Sequence, residues 1–175
     1  MEIRKANNRE LGRIKRLYLE AFPRSERKPF GLMRWKARQG QMEMLAILDG
    51  HELAGLAITV LCGDRVLLDY FAVEKSARGK GFGSQALRLL RERYDDRRFF
   101  LEIELPDEDA PNSVERRRRK QFYLKNGMQE TGIRAVVFQV PMEVLSDGKP
   151  LTYEDYHDLY EKTIGPAFSR RVRAL

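Results

Sequence analysis

A glycine-rich turn is the part of this chain whose residue types most clearly point to chemistry. Residues 78–83 read Arg-Gly-Lys-Gly-Phe-Gly, between an apolar stretch at residues 66–73 and a helical pattern. Glycines lack the Cβ atoms that would keep a phosphate away, and backbone N–H groups at a helix N-terminus attract anions. Arg78 and Lys80 add positive charge. The segment predicts a pyrophosphate site, with a purely structural turn as the alternative.

The spacing of this turn excludes two common nucleotide-binding loops. It lacks the GxxxxGK[ST] pattern of a phosphate-binding P-loop. The next strand candidate begins only about 15 residues further on, and no alternating parallel βαβ units surround it, so it is not a Rossmann fingerprint.

Three carboxylates on strand candidates are the next residues that could do chemistry. Asp69 interrupts an otherwise apolar strand, where a charge is costly unless it is paired, hydrated or functional. Glu102 and Glu104 lie two residues apart and therefore share one face of a later strand. A structural salt bridge or hydrogen bond is an equally good interpretation of each.

The elements that must position these residues follow from periodicity and turn signals. The pattern predicts the order βααβββαβαββα, an α+β fold around a mixed sheet. Basic residues at 169–175 predict a frayed tail. The predicted elements are a strand at Ile3, a helix capped by Asn8 and ending near Phe22, a helix at 31–39, strands at 42–48, 52–61 and 66–73, a helix at 83–94, a strand at 99–105, a helix capped by Ser113 and ending near 126, a strand at 128–140 with a break near Gly132, a strand at 142–146, and a last helix opened by Thr152 and Asp155.

Length and composition exclude several classes of protein. The chain has 175 residues, enough for one domain, and its 42% hydrophobic residues can form a core. A single cysteine, Cys62, excludes an internal disulfide, and two histidines argue against a zinc hydrolase. We expect neither a membrane span nor a secretory signal. The net charge of +7 favours a polyanion or a phosphate-bearing cofactor, unless it serves solubility alone.

Two motifs resemble those of the GNAT superfamily of N-acetyltransferases. Arg78-x-x-Gly81-x-Gly83, after a strand that ends Tyr-Phe-Ala-Val, looks like the acetyl-coenzyme A motif of that family. The sequence Phe-Tyr-Leu-Lys-Asn-Gly-Met at residues 122–128 is similar to its helix-to-strand junction. Residues 21–29, 101–104 and 118–123 more narrowly resemble a bacterial group of unassigned substrate.

The resemblance implies a fold and an activity. It implies a GNAT-like α+β fold, in which a mixed, mostly antiparallel sheet is flanked by helices on both faces. Residues 1–146 would form the core, and residues 147–175 would add a helical extension packed on or near it. The implied activity moves acetyl from acetyl-coenzyme A to a primary amine by direct attack in a ternary complex.

The resemblance also leads to expectations about partners and location. A small-molecule amine is slightly preferred over a protein acceptor, because nothing resembles a peptide-recognition module. We expect a cytoplasmic monomer or homodimer.

The resemblance assigns a set of cofactor-binding residues. Many family members have an asparagine seven residues before the motif tyrosine, whereas this chain has Arg116, and Asn112 in the preceding loop is a substitute. The family phenylalanine after the glycine is Met128 here. The implied cofactor-binding residues are Phe71, Ala72, Val73, Arg78, Gly79, Lys80, Gly81, Phe82, Gly83, Ser84, Asn112, Arg116 and Tyr123.

The resemblance assigns chemical roles as well. Tyr123 occupies the position of the family's general acid, where a phenol suits protonation of a thiolate, although it could be a packed core tyrosine. Asp69 is a candidate base, directly or through water, and Glu104 is a second catalytic candidate. The expected acceptor-binding residues are Glu26, Arg27, Asp69, Glu102 and Glu104.

Four consecutive arginines, at residues 116–119, support a different class of function. In that alternative, a non-enzymatic GNAT scaffold senses acyl-coenzyme A or binds nucleic acid through an arginine-rich helix. A solvated helix is the favoured interpretation, because these side chains point in all directions and no aromatic residues interleave them. We therefore expect no nucleic-acid partner.

Overall fold

The computed structural model of the protein describes residues 1–175, apart from the side chains of residues 167 and 168. The chain divides into two compact units. The first contains Met1–Leu61 and Leu68–Arg93, and the second contains Cys62–Leu67 and Tyr94–Leu175. The class is mixed α+β with mostly antiparallel strands, as the sequence predicts.

The first unit contains most of the three strands predicted at residues 42–48, 52–61 and 66–73, together with the helices near them. Its strands follow the order β1-β2-β3-β4, and residues 65–67 of β4 belong to the second unit. The Asp49-Gly50 hairpin is confirmed, with Gly50 at φ 58° and Asp49 opposite Glu52. The elements are β1 (Glu2–Lys5), α1 (Asn8–Ala21), α2 (Phe30–Arg38), β2 (Met42–Asp49), β3 (Glu52–Cys62), β4 (Arg65–Val73) and α3 (Phe82–Arg93).

The start of α1 corrects one prediction. Asn7, and not Asn8, is the N-cap: its side chain accepts the backbone N–H groups of Arg9 and Glu10. The Glu10 carboxylate in turn accepts the Asn7 N–H, which completes a capping box. The glutamate three residues on therefore selects the earlier of two adjacent asparagines.

The second unit is built on four strands in the order β5-β7-β6-β8. The turn between β6 and β7 lies at Phe138 and Gln139, with φ of 48° and 74°, so both strand bounds differ from the predicted ones. Neither residue is a glycine, and the sequence therefore gives no turn signal there. The elements are β5 (Arg98–Glu104), α4 (Ser113–Lys125), β6 (Gln129–Val137), β7 (Val140–Ser146), α5 (Tyr153–Ile164), α6 (Pro166–Ser169) and β8 (Val172–Ala174).

The C-terminal segment is more ordered than the sequence predicts. The Thr152–Asp155 capping box at the start of α5 is confirmed. The expected frayed tail is wrong, because β8 pairs with β6 and Val172 is buried. Arg65 bonds the Asp158 carboxylate at 2.5 Å and ties α5 to the start of β4 within this unit. The division at residue 146 stays a prediction.

No helix in the described part of the chain is long and apolar enough to cross a membrane.

Candidate functional site

The glycine-rich turn joins β4 to α3 in the geometry that an anion site needs. A short 3-10 turn at Lys75–Ala77 follows β4, and Gly79 and Gly81 then adopt φ of 72° and 79°. Residues that carry a side chain rarely adopt this left-handed backbone conformation, which explains why both positions are glycine. No atom lies within 4 Å of where a Cβ would project from either residue. The turn is therefore open on the side where a phosphate would approach.

The cations of this turn are available to a ligand. Arg78 donates from Nε to the Val73 carbonyl oxygen at 3.2 Å, which holds the side chain against the end of β4. Arg78 and Lys80 are both exposed, and neither has a carboxylate partner in the described part of the chain. The backbone of residues 79–84 leads into the first turn of α3, where the helix dipole also favours negative charge. The turn thus fits a pyrophosphate.

A glycine that the sequence analysis missed shapes the end of β4. A Cβ on Gly55 of β3 would lie 2.5 Å from the Ala72 carbonyl oxygen and 3.3 Å from the Val73 Cα. Such a contact with backbone atoms cannot be relieved by a side-chain rotation, so only glycine permits this approach of β3 to the end of β4. A glycine inside an apolar strand was the available signal.

Asp69 is held by a lysine from the loop before α2. Lys28 Nζ donates to both carboxylate oxygens of Asp69, at 2.7 and 2.8 Å. The Asp69 side chain is only 10% exposed, so this charge is mostly removed from solvent. The structural salt bridge that the sequence analysis gave as one interpretation of Asp69 is therefore present. The role of Asp69 as a base stays a prediction, and a direct role requires this ion pair to open.

Two tyrosines fix the backbone of the same loop. Tyr70 Oη donates to the Glu26 carbonyl oxygen at 2.7 Å and accepts the Lys28 N–H at 3.1 Å. Tyr18 Oη donates to the Lys28 carbonyl oxygen at 3.1 Å. Burial, with the charge of Asp69, raises the pKa of Tyr70, so it stays a neutral hydrogen-bonding group. Sequence reasoning missed Tyr18, Lys28 and Tyr70 as parts of this arrangement.

The two predicted acceptor residues of the loop lie in different surroundings. Glu26 is exposed, and its carbonyl is bound by Tyr70. Arg27 is half-buried, and its Nε is buried without a hydrogen-bond acceptor among the described residues. Of the two, Arg27 is the direct chain neighbour of Lys28, whose side chain bonds Asp69 of β4.

In the second unit, Glu104 is enclosed by basic side chains from α4. Its Oε1 lies 3.0 Å from Arg116, and its Oε2 lies 3.3 Å from Arg119. Asn112 donates to the same Oε2 at 3.3 Å. Both carboxylate oxygens of this predicted catalytic residue are thus engaged, and its catalytic role stays a prediction.

The same network uses the two predicted cofactor contacts that differ from the family pattern. Arg116 donates from Nε to the Asn112 side-chain oxygen at 2.8 Å and from Nη1 to the Leu105 carbonyl oxygen at 3.1 Å. Ser113 does not cap α4, and Asn112, the actual N-cap, makes no side-chain capping bond. Its amide instead bonds Glu104 and Arg116, so contact of either residue with the cofactor stays a prediction.

Glu102 has a partner that the sequence did not indicate. Tyr160 of α5 donates to Glu102 Oε1 at 2.5 Å. The predicted alternation of β5 is confirmed, because Leu101 and Ile103 are buried whereas Glu102 and Glu104 are half-buried. A C-terminal helix therefore positions one of the two acidic side chains.

Tyr123 lies on the last turn of α4 and is only 8% exposed. Burial raises its pKa to about 12. In the described part of the chain, no residue makes a hydrogen bond with its hydroxyl. The helix ends just beyond it because Gly127 adopts φ 83° and the Met128 N–H returns to the Tyr123 carbonyl oxygen at 3.1 Å. Tyr123 is thus a fixed aromatic ring with an unused hydroxyl.

The remaining arginines of α4 lie on its outer side. Arg117 and Arg118 are exposed and line an open groove together with Val114, Gln121, Phe122 and Lys125. The four consecutive arginines are therefore divided: Arg116 and Arg119 pair with Glu104, and the middle two face solvent.

Comparisons with known proteins identify the family. A sequence model of the Acetyltransferase (GNAT) family matches residues 11–127, and the chain belongs to that family. No curated protein matches it significantly in sequence. The family uses acetyl-coenzyme A, which is therefore the cofactor of this protein, and the expected superfamily is confirmed.

Solved structures show the same fold at low sequence identity. A GNAT-family protein from Bacteroides thetaiotaomicron is 20% identical, with a TM-score of 0.76 over 97% of this chain and 99% of that one. An aminoglycoside 6'-N-acetyltransferase in complex with coenzyme A is 16% identical, with a TM-score of 0.65 over 83% and 96%. The ribosomal-protein-S18-alanine N-acetyltransferase from Escherichia coli is 19% identical, with a TM-score of 0.60 over 88% and 97%.

Proposed function

We propose that this protein is an N-acetyltransferase that moves acetyl from acetyl-coenzyme A to a primary amine of a small molecule, in a ternary complex. The observation that carries the proposal is the open turn with left-handed glycines between β4 and α3, in a chain of the GNAT family. Bound acetyl-coenzyme A would supply the thioester carbon and a thiol leaving group. The cytoplasmic location and the monomeric or dimeric state stay predictions.

The turn supplies the binding energy for the cofactor. Backbone N–H groups from residues 79–84 would bind the pyrophosphate, helped by the exposed Arg78 and Lys80 side chains. The family resemblance assigns to the end of β4, at Phe71, Ala72 and Val73, the backbone groups that polarise the carbonyl. Gly55 supports that role because it lets β3 approach Ala72 closely.

Tyr123 assists the departure of the thiolate. A phenol with a pKa of about 12 keeps its proton at physiological pH and can donate a hydrogen bond to charge that develops on sulfur. An ordinary thiol has a pKa of about 8.5, which is below that of Tyr123. The proton therefore stays on the Tyr123 oxygen, and moves to the sulfur only if burial also raises the pKa of the thiol. The absence of any other partner for the hydroxyl, among the described residues, supports this role.

Asp69 serves the acceptor side in this proposal. Its carboxylate attracts the ammonium group of the acceptor, and opening of the Lys28 contact frees an oxygen to accept the amine proton, directly or through water. Glu102 and Glu104 are already bonded by Tyr160 and by Arg116, which supports positioning roles for them over direct proton transfer.

A single substitution in the turn tests the proposal. Gly81→Glu adds bulk, backbone strain and negative charge where the pyrophosphate would bind, and we expect acetyl-coenzyme A affinity to fall at least about a hundredfold. Gly50→Glu is the matched control, because Gly50 also has a positive φ and open space but lies in the β2–β3 hairpin. Calorimetry gives both affinities, and equal values for the two folded variants would contradict the proposed site.

Turnover separates the enzyme from its non-enzymatic alternative. Acetyl transfer is screened over polyamines, amino acids, aminoglycosides and peptide N-termini. Binding of acetyl-coenzyme A without transfer to any of these amines would favour a sensor or a nucleic-acid-binding scaffold instead.

A further inference from the structure

The loop before α2 and α2 itself form a basic segment, residues 23–39, in which one lysine differs from the arginines. Lys28 donates to both carboxylate oxygens of Asp69, at 2.7 and 2.8 Å. In the described part of the chain, the four arginines of the segment have no carboxylate within ion-pair distance: Arg24, Arg27, Arg34 and Arg38. The protein therefore holds a primary amine, and none of these guanidinium groups, against the carboxylate of β4.

The choice of a lysine has a chemical consequence. An arginine would make the stronger structural pair, because a guanidinium binds a carboxylate with two N–H donors in a fixed plane. A guanidinium keeps its proton and is not a nucleophile, whereas a lysine that loses a proton presents a nitrogen lone pair. Asp69 thus holds the kind of group that an N-acetyltransferase modifies, and the chain itself supplies that group.

The backbone that carries Lys28 is fixed, whereas its amine is on a flexible stem. Glu26 and Lys28 make three backbone hydrogen bonds with the hydroxyl groups of Tyr18 and Tyr70. The Lys28 side chain is 27% exposed, and its four-carbon chain can rotate. The amine can therefore leave Asp69 while the loop stays in place.

Asp69 lies near the part of β4 that is proposed to polarise the thioester carbonyl. Side chains alternate along a strand, and Asp69 and Phe71 are both half-buried with the buried Tyr70 between them. Asp69 therefore shares a face with Phe71 and precedes it by about 7 Å along the strand. Lys28, this part of β4 and the glycine-rich turn all belong to the same compact unit.

We infer that Lys28 is itself an acetylation site, modified within the same chain by the acetyl-coenzyme A that this chain binds, with Asp69 as the base. The inference rests on the cofactor site of the proposed function and needs no external acceptor. Because amine and base are already in contact, the transfer avoids the entropy that a collision between separate molecules would cost.

The transfer balances without any further reactant. Asp69 accepts one proton from the Lys28 ammonium, and the nitrogen lone pair forms a bond to the acetyl carbonyl carbon. The carbon–sulfur bond breaks with its electron pair on sulfur, and a second proton from the nitrogen ends on that sulfur. The products are a neutral acetyl-lysine, free coenzyme A and one proton, which Asp69 releases to solvent. Loss of the Lys28 charge leaves the Asp69 carboxylate to the ammonium of an external acceptor.

Isotope labelling with peptide mass spectrometry tests the inference. The protein is incubated with acetyl-coenzyme A that carries a deuterated acetyl group, so that acetylation in the expression host is not counted. We expect label on Lys28 at least about a hundredfold faster than on the exposed Lys15 of α1, the lower end of what a positioned base contributes. The rate constant should not depend on protein concentration, because the reaction occurs within one chain.

Acetic anhydride, used without the cofactor, should give the opposite order. Lys28 is paired and mostly covered, whereas Lys15 is exposed, so this reagent should label Lys15 faster. Faster labelling of Lys28 by the anhydride would show that its reactivity does not need the cofactor, and would overturn the inference.

Two variants locate the base and the donor. Asp69→Asn keeps the shape of the side chain and should slow the labelling of Lys28 at least about a hundredfold. Asp49→Asn, in the exposed β2–β3 hairpin of the same unit, is the matched control and should leave the rate unchanged. Folded Gly81→Glu should also lose the label, because it cannot bind the donor, and this variant keeps the test valid if Asp69→Asn does not fold.

The outcomes separate this inference from the proposed function. Label on Lys28 without transfer to any external amine would contradict the proposed function and support the inference. Transfer to an amine without label on Lys28, label on Lys28 no faster than on Lys15, or a rate constant that rises with protein concentration would overturn the inference alone. The absence of both reactions would contradict the two together.

Discussion

The basic segment at residues 23–39 and the arginine run at residues 116–119 of α4 contain similar charges in different surroundings. In the basic segment, the four arginines have no carboxylate partner among the described residues. In the arginine run, Arg116 and Arg119 both bond Glu104, and Lys120 next to them bonds Glu130 and Glu143.

The difference shows that a count of cations does not identify a binding surface. The arginine run is the denser cluster in the sequence, yet half of it neutralises one acidic side chain of its own unit. The basic segment is more dispersed, but none of its four arginines is neutralised by a carboxylate of the described residues. The group on α4 that stays chemically unused is a neutral one, the Tyr123 hydroxyl.

The largest expected effect therefore comes from Tyr123 and not from its charged neighbours. In the proposed mechanism, Tyr123→Phe removes a hydrogen bond that is made mostly in the transition state, so we expect kcat to fall about 10²–10⁴-fold while acetyl-coenzyme A affinity changes little. Steady-state kinetics and calorimetry measure the two quantities.

Tyr153→Phe is the matched control, because it removes a hydroxyl from α5 of the same unit and should leave kcat unchanged. The pH dependence of the free energy of unfolding checks the burial of Tyr123. Because burial raises the pKa of Tyr123 to about 12 from an ordinary value of 10, the stability that the buried neutral phenol contributes is complete below pH 10 and is lost as the pH rises through 12. If kcat were the same in Tyr123→Phe and wild type, Tyr123 would be a packing residue.

Removal of Glu104, the β5 carboxylate that pairs with two arginines of α4, should have an intermediate effect, on stability. Glu104→Gln leaves Arg116, whose side chain is 15% exposed, without its charged partner. We expect the free energy of unfolding to fall by about 1–3 kcal/mol, measured by urea denaturation. Glu108→Gln in the exposed loop is the control and should change it by less than about 0.5 kcal/mol. Equal midpoints for the two variants would mean that the pairing contributes nothing.

The smallest expected effect is at the solvent-facing part of the arginine run. Arg118→Gln should change the free energy of unfolding by less than about 0.5 kcal/mol and leave acetyl transfer unaltered, because this side chain has no partner in the described chain. Any binding of DNA or RNA should be weak and fall steeply with salt. A tight complex at about 150 mM salt that this variant weakens, seen in a gel-shift titration, would assign the run to nucleic acid.

Local sequence patterns determined the parts of the site that depend on the backbone. The glycines at 79 and 81 indicate a left-handed turn by their residue type, and the strand before it and the helix after it follow from periodicity. The helix stop at Gly127 and the capping box at Thr152 are equally local. These features are predictable because each depends on residues only a few positions apart.

Tertiary structure alone decided which charges are neutralised. Lys28 and Asp69 lie 41 positions apart, and nothing in either segment indicates that they pair. Glu104 meets its two arginines because α4 packs near β5, and Glu102 meets Tyr160 because α5 does so as well. A side chain's partner depends on packing between distant segments, and periodicity contains no information about it. For this reason the sequence indicated the turn that is proposed to bind the cofactor, but only the structure indicated which charged side chains are paired.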